Sequence, residues 1–330
     1  MPVNSSSSFA RLSRRALTAT IMAGTLALAL PAQAEIKSLD IIAPANPGGG
    51  WDQTARAIQA ALEAEKLASG VKVENIGGAG GTIGLAQFVS SRGKKGDAIL
   101  VGGLVMVGAI LTNKSPVTLA NVAPLARLTG EYELIVVPTE SPLQNMGDLT
   151  AKLKADPGSV SWGGGSAGGT DHILAGLIAK AAGVDPTKVN YIAHSGGGEA
   201  LSAILGGHVT AGISGYEEFA PQIAAGKLRA LAISADERLP GIDVPTLKEQ
   251  GIDVSLVNWR GLFAGANAKE KDVKALSDAV AKMVESPAWQ DTLKQRGWIN
   301  LYQPADEFTA FLADDQAKVE TTLKAIGLVQ

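Results

Sequence analysis

The feature that most constrains the fold is a repeated unit of three parts: an apolar run, a cluster of glycines and a helix-like run. Glycine makes up 39 of the 330 residues, above the average of about 7%. Alternating strand-like and helix-like runs are typical of an α/β fold, and several apolar runs lack a polar face, as strands covered on both sides require. The pattern predicts an α/β fold in which a glycine cluster follows a strand and precedes a helix at 48–50, 77–81, 163–169 and 196–198.

The apolar and periodic runs predict the elements themselves. Strand-like runs lie at 39–43, 72–76, 99–102, 134–137, 160–162, 189–192, 210–213, 228–233 and 256–263. Helix-like runs, with apolar residues on one side or with proline in the first turn, lie at 53–65, 171–182, 268–285, 287–296 and 304–326.

The first 34 residues are typical of an export signal. Basic residues precede the apolar stretch 16–30, which is too short to span a bilayer of roughly 30 Å as a helix, and Ala32-Gln33-Ala34 is an A-x-A cleavage site. We expect cleavage after Ala34 and a periplasmic protein; an N-terminal membrane anchor is the alternative. The pair Arg14-Arg15 leaves both the general and the twin-arginine export routes open.

The rest of the chain is long enough for about two domains. Candidate crossings between them lie at 139–142 and 259–261. The predicted division is a signal peptide at 1–34, a discontinuous domain 1 at 35–137 plus 260–330, and a domain 2 at 138–259.

Charge and composition exclude several function classes. Residues 1–34 hold three arginines and no acid, so their removal moves the formal net charge from −3 to −6, and a net acidic protein is a poor partner for nucleic acid. The chain has no cysteine and three histidines, which argues against thiolate chemistry and a zinc site. We expect no nucleic-acid partner, no metal and no cofactor.

A glycine loop that leads into a helix can bind an anion. Glycine lets the backbone approach a ligand with no Cβ in the way, and the first N–H groups of a helix lack an internal partner. The helix dipole adds roughly half a positive charge there. In open α/β sheets, ligands bind beyond the carboxyl ends of the strands. Four such loops, two from each domain, predict a cleft for an anion with more than one charged end.

One glycine cluster also has a catalytic interpretation. Gly164-Gly165-Ser166-Ala167-Gly168 matches the G-x-S-x-G nucleophile elbow of serine hydrolases, whose order is serine, acid, then histidine. All three histidines of the chain lie within 42 residues of Ser166, and none is near the C-terminus, where that fold places its base. A hydroxyl donor to a ligand is the favoured role for Ser166.

Three residues next to the loops have open roles. We expect Asp52 to cap a helix and order the first loop, because a carboxylate would repel an anionic ligand. His172 is either a donor to the ligand or an ordinary packing residue. Trp51 either flanks the ligand or wedges the loop against its domain.

The four glycine segments together resemble a known family. APANPGGGWDQTAR, NIGGAGGTIG, WGGGSAGGTDH and, after Tyr191, HSGGGEAL closely resemble the periplasmic receptors of tripartite tricarboxylate transporters, also called Bug-type receptors. The resemblance covers essentially the whole chain after residue 34. It implies a two-domain type II periplasmic binding protein that binds an organic anion in the cleft between its domains. Such a receptor, expected to be a monomer and not an enzyme, delivers the anion to the permease subunits of the transporter.

The resemblance also implies a set of ligand-binding residues. In the family, loops that match Pro47–Asp52 and Gly78–Gly81 hold one carboxylate through backbone groups and waters, and the opposite domain sets ligand preference. The implied binding residues are Asn46, Gly49, Gly50, Trp51, Asp52, Gly78, Ala79, Gly80, Gly81, Ser166, Gly168, Thr170, His172, Ser195, Gly196, Gly197 and Glu199.

Two departures from the common family pattern bear on the ligand. Gly50 replaces a hydroxyl residue of the first loop, and His194-Ser195 stands where many relatives have a lysine. Both resemble the tricarboxylate branch, so the expected ligand is a di- or tricarboxylate of the citrate type. The alternatives are an exported serine hydrolase that uses Ser166 and a carboxylate receptor for signalling.

Overall fold

Strands and helices alternate along the part of the chain that the computed structural model describes, Met1 and residues 35–330. The predicted signal peptide, up to its cleavage site, lies outside the described residues. The strands are β1 (Leu39–Ala43), β2 (Val71–Asn75), β3 (Ala98–Gly103), β4 (Val122–Pro138), β5 (Ser161–Gly164), β6 (Asn190–Ala193), β7 (Ala211–Gly215), β8 (Leu228–Ile233), β9 (Val257–Gly265) and β10 (Ile299–Pro304). The helices are α1 (Gly50–Ala64), α2 (Thr82–Arg92), α3 (Leu104–Thr112), α4 (Met146–Ala155), α5 (Thr170–Ala181), α6 (Gly197–Leu205), α7 (Tyr216–Ala224), α8 (Glu270–Glu285), α9 (Pro287–Arg296) and α10 (Ala305–Ala325).

The strands form one mixed sheet in the order β2-β1-β3-β9-β4-β7-β5-β6, with β8 and β10 also paired to β4. Strand β1 runs parallel to β2 and β3, and β5 runs parallel to β6 and β7. Strands β4 and β9 run antiparallel to their neighbours. The predicted α/β class is therefore confirmed, with a parallel group of strands at each end of the sheet.

Buried apolar side chains divide the molecule into two lobes. One cluster joins residues of 39–128 with residues of 259–326, together with Ile173. Two further clusters lie within 134–254. We call the first region lobe 1, which carries α1, α2 and α3, and the second region lobe 2, which carries α4 to α7.

Strand β4 belongs to both lobes. Its residues 122–132 pair with β9, whereas its residues 133–138 pair with β7 and β8. Strand β4 changes its partner several residues before the predicted crossing at 139–142. The sequence does not mark this point, because the apolar run 134–137 continues an earlier, more polar stretch without a break. The residue boundaries of the two domains stay a prediction.

Helix α1 illustrates how sequence and packing agree. It buries Ala57, Ile58, Ala61 and Leu62 on one face, as the period of 3.6 residues requires. It begins at Gly50, three residues before the predicted start, so Asp52 lies inside its first turn. Across the described ranges, no helix is both long and apolar enough to cross a membrane.

Candidate functional site

A cavity lies between the two lobes at the carboxyl ends of the parallel strands. Its empty volume is about 690 Å³, including the part that is open to solvent. Five glycines that line it are the N-caps of α1, α2, α5, α6 and α7, namely Gly49, Gly81, Gly169, Gly196 and Gly215. Five helices therefore begin at the wall of one cavity.

None of the five helix starts at this cavity has a side-chain cap. Glycine has no side chain to cap a helix, so N–H groups of the first turns remain available to a ligand. By contrast, α4 and α9 begin away from the cavity and have side-chain caps: Asn145 accepts from Asp148 N–H, and Ser286 accepts from Trp289 N–H. Five uncapped helix termini create a region of positive potential that favours an anion.

The second glycine loop has an unusual backbone. Gly78, Ala79, Gly80 and Gly81 all have positive φ, with φ of 49° at Ala79 and 61° at Gly80. The Asn113 side-chain amide donates to the Ala79 carbonyl at 3.0 Å. A Cβ at Gly80 would overlap Ala109 of α3 and lie 3.5 Å from the Ser166 Cβ of lobe 2. Only glycine fits at Gly80, where the loop approaches the opposite lobe.

Asp52 orders the first loop from inside the helix. Its carboxylate accepts from Gly48 N–H at 2.8 Å, from Arg56 Nε at 3.1 Å and from Asn75 Nδ2 at 2.9 Å. Burial raises the pKa of Asp52, but these donors outweigh burial and lower the pKa below its ordinary value. The expected ordering role fits this network; the helix cap itself is Gly49, so the expected position of Asp52 as the cap was wrong.

Trp51 is a wedge that also reaches the cavity. Its side chain is buried and lines the cavity. A Cβ at Gly81 would lie 2.5 Å from the Trp51 ring, and a Cβ at Gly103 would lie 3.4 Å from its Nε1. The indole therefore joins the first two loops through glycines that leave space for it, as the wedge role requires; contact of Trp51 with the ligand stays a prediction.

Arg260, which sequence reasoning missed, is the positive group at the cavity wall. It is buried, forms an ion pair with Glu131 and donates to Thr54 Oγ1 at 3.1 Å. Burial, and then the charge of Arg296, lower the pKa of Arg260 to about 9. A Cβ at Gly50 would lie 2.5 Å from its Nη2, so the glycine in place of a hydroxyl residue leaves room for the guanidinium.

Three acidic side chains of lobe 2 also line the cavity: Glu133, Asp171 and Glu218. Burial, then the charges of Asp171 and Glu218, raise the pKa of Glu133 well above its ordinary value. Burial raises the pKa of Asp171 to about 7, although Gly165 N–H donates to it at 2.6 Å. Burial also raises the pKa of Glu218, which accepts from the Ser214 hydroxyl. The polar wall of the cavity therefore holds three carboxyl groups whose pKa values are raised by burial.

The nucleophile-elbow geometry is absent at Ser166. Within residues 35–330, which hold all three histidines, Ser166 Oγ forms no hydrogen bond with a histidine: His172 Nδ1 accepts from Gly168 N–H at 3.2 Å, and His194 Nδ1 faces the Gly164 carbonyl at 3.1 Å. Ser166 is also not among the described non-glycine residues with positive φ, whereas a nucleophile elbow is a strained turn. Ser166 lines the cavity as a hydroxyl without an activating base.

His172 packs beside the cavity and does not line it. Its ring stacks on Tyr191 with centroids 4.1 Å apart, and burial lowers its pKa to about 4. The Tyr191 hydroxyl donates to the Gly165 carbonyl at 2.9 Å. The neutral imidazole therefore supports the third loop through Gly168 and Tyr191.

The structure brings most of the predicted residues together. Those that line the cavity are Gly49, Gly50, Trp51, Gly78, Gly80, Gly81, Ser166, Thr170, Ser195, Gly196 and Gly197. Ala79 and Glu199 line a second, adjoining pocket, and Glu199 accepts from Ser195 N–H at 3.1 Å. The remaining four lie outside both pockets and are Asn46, Asp52, Gly168 and His172.

Several lining residues carried a signal that the sequence analysis did not use. Glu133 lines the cavity and Glu131 pairs with the lining residue Arg260; both interrupt the apolar strand pattern, which is unusual for buried positions. Ser214-Gly215 repeats the strand–glycine–helix unit with a single glycine, and Glu218 follows in the first turns of α7. Asn258 and Arg260 lie on β9, beside β4. They reach the cavity through strand pairing, which local sequence does not reveal.

Comparison with known proteins finds one matching family, similar sequences and similar solved structures. The family described as "Tripartite tricarboxylate transporter family receptor" matches residues 54–328. The "UPF0065 protein in gbd 5'region" of Cupriavidus necator is 30% identical over 94% of this chain and 97% of its own. A TctC solute binding protein from Polaromonas, solved with no ligand, is 28% identical with a TM-score of 0.63 over 87% of this chain and 98% of its own. MatC from Rhodopseudomonas palustris with bound malate is 24% identical with a TM-score of 0.76 over 88% of this chain and 99% of its own.

Proposed function

The chain belongs to the tripartite tricarboxylate transporter family of receptors, and we propose that it captures one small organic carboxylate in the cavity between lobes 1 and 2. The observation that carries the proposal is the convergence of five glycine-capped helix starts on that cavity. Their N–H groups and dipoles can bind a carboxylate without a lysine. Arg260 adds one guanidinium, already paired with Glu131.

The ligand that we propose is a di- or tricarboxylate of the citrate type. Malate, the ligand bound in MatC, is a dicarboxylate. The hydroxyls of Ser166 and Ser195 supply further donors at the lobe 2 side.

We propose that the protein performs no chemistry on this ligand. The hydroxyl of Ser166 has no activating histidine in the described chain, so no observation favours the hydrolase alternative. Closure of the two lobes would trap the ligand, and the closed form would deliver it to the membrane permease. We propose a monomeric, exported receptor in the periplasm; use of the same site for signalling is a second role that no observation favours.

Thermal unfolding of the purified protein against a carboxylate panel tests the proposal. The panel contains malate, succinate and citrate, each with its uncharged amide as a matched control. A ligand at about 100 times its dissociation constant adds about 2.7 kcal/mol to the free energy of unfolding, so we expect at least one acid to raise Tm while its amide does not.

Two outcomes would contradict the proposal. If no carboxylate raises Tm at any pH between 5 and 9, the anion-binding role is wrong. If the protein instead hydrolyses an ester and Ser166→Ala abolishes the turnover, the hydrolase alternative replaces it.

A further inference from the structure

Glu133 occupies a position that the anion-binding role does not explain. It lies on β4, its side chain is fully buried, and it lines the cavity. Among the described residues, neither carboxyl oxygen has a hydrogen-bond partner. The Asn258 side-chain amide is near enough to offset part of the rise in the pKa of Glu133, but it does not reach hydrogen-bond geometry with either carboxyl oxygen. A buried polar group without a partner points to a ligand that supplies one.

The surroundings of Glu133 offer it no counter-ion. On its own strand, Glu131 is paired with Arg260 of β9, the only cationic side chain among the described residues that line the cavity. Helix α5 contributes Asp171 and α7 contributes Glu218, both acidic. Strand β6 contributes Tyr191, whose pKa is raised by burial and then by the charges of Asp171 and Glu133. Asp171 and Glu218 disfavour the negative charge of Glu133, Tyr191 is neutral, and the one cation, Arg260, is already paired.

Of the three acids that line the cavity, Glu133 has the fewest groups that stabilise its negative charge. An isolated buried carboxylate becomes neutral rather than remain charged without a partner. Asp171 accepts hydrogen bonds from backbone N–H groups, including Gly165 N–H at 2.6 Å, and Glu218 accepts from Ser214. Both donors stabilise the charged form, and Glu133 has none with hydrogen-bond geometry. A neutral carboxyl group has one O–H to donate.

We propose that Glu133 binds the ligand as a neutral carboxylic acid and donates its proton in a hydrogen bond to a ligand carboxylate. This proposal rests on the proposed function, since it requires an anionic ligand. It explains how a cavity with several acidic side chains accepts a di- or tricarboxylate: one acid faces it as a donor. O–H···O⁻ hydrogen bonds are among the strongest in proteins, so Glu133 contributes to specificity for ligands with a second carboxylate.

Isothermal titration calorimetry with malate between pH 7 and 9.5, in buffers of different ionisation enthalpy, tests this role. Both carboxyl groups of malate are ionised throughout this range. As pH rises through the pKa of unliganded Glu133, we expect Kd to increase by up to about tenfold per pH unit and proton uptake to approach one per ligand. Glu133→Gln keeps the size and a donor but holds no titratable proton. We expect this variant to bind malate within about threefold of the wild type at pH 7 and to lack the proton uptake that the wild type gains as pH rises.

Two further variants separate the donor role from other effects. Glu133→Met is similar in size but has no donor, so we expect at least a tenfold weaker Kd at pH 7. Asp171→Asn removes the neighbouring acid, and we expect it to retain the pH dependence that Glu133→Gln loses. Circular dichroism and Tm verify that each variant is folded.

The outcomes distinguish failure of this inference from failure of the proposed function. If wild type and Glu133→Gln bind malate with the same pH dependence, Glu133 does not carry the proton. If Glu133→Gln abolishes binding and the wild type prefers aspartate to malate, Glu133 is ionised and faces a cationic group of the ligand. If malate does not bind, the best acid of the thermal panel replaces it. If no acid binds at any pH, the proposed function itself is wrong.

Discussion

A Cβ atom at Gly50 would lie 2.5 Å from Arg260 Nη2, and Cβ atoms at Gly197 and Gly215 would overlap the carboxyl groups of Glu218 and Glu131. Glycine at these positions leaves space for buried charged side chains, in addition to letting the backbone approach a ligand. A larger side chain at one of these glycines would displace a buried charged side chain. A substitution in a loop therefore also changes the positions of the charges around this cavity.

Gly80 allows a matched test at this scale. In Gly80→Ala, the new methyl overlaps Ala109 and pushes the second loop toward the cavity, so we expect Kd for the best carboxylate to rise at least tenfold in calorimetry. Gly226→Ala is the control: its φ of 69° is similar and its Cβ would meet open space. Both changes cost about 1 kcal/mol of backbone strain. If both folded variants bind the carboxylate with equal affinity, the second loop does not contribute to the binding site.

At the scale of elements, local patterns predicted what local forces determine. The runs 39–43 and 228–233 match β1 and β8 residue for residue. The first part of β4 was missed because Arg127 and Glu131 break its apolar pattern. Glu131 is buried there only because Arg260, 129 residues later in the sequence, neutralises it. The same long-range pairing explains why the glycine loops of the site could be predicted and its acidic wall could not.

The start of α1 provides a prediction about an element. Asp52 accepts three hydrogen bonds that order the first loop, so we expect Asp52→Ala to lower the free energy of unfolding by about 1–3 kcal/mol, as measured by urea titration at pH 7. Since the folded pKa of Asp52 is lowered, this contribution is lost as pH falls below about 4. Asp306→Ala, an exposed acid in the first turn of α10, should cost at most about 1 kcal/mol. Equal costs for both would contradict the network.

At the scale of the whole molecule, the cavity combines two opposing fields. The helix starts of α1 and α2 in lobe 1 and of α5, α6 and α7 in lobe 2 make it positive, while the acids on β4, α5 and α7 make it negative. The fold keeps these acids buried together, so part of their charge is neutralised by protons. The stability of the unliganded protein should therefore depend on pH through lobe 2.

Asp171 tests this dependence. Its pKa is raised from 3.8 to about 7 in the folded protein by burial, so the folded state holds a proton that the unfolded chain releases. Its penalty is absent below about pH 4, grows as pH rises and is complete above about pH 7. We expect the stability of Asp171→Asn relative to wild type to increase by roughly 3–4 kcal/mol between pH 4 and pH 8, as measured by urea unfolding without ligand. Comparing the two pH values cancels the lost hydrogen bond to Gly165 N–H. If the difference in the free energy of unfolding between variant and wild type is the same at both pH values, Asp171 is charged in the folded protein at both. Protonation of Asp171 would then not be what offsets the repulsion among the acids of the cavity wall.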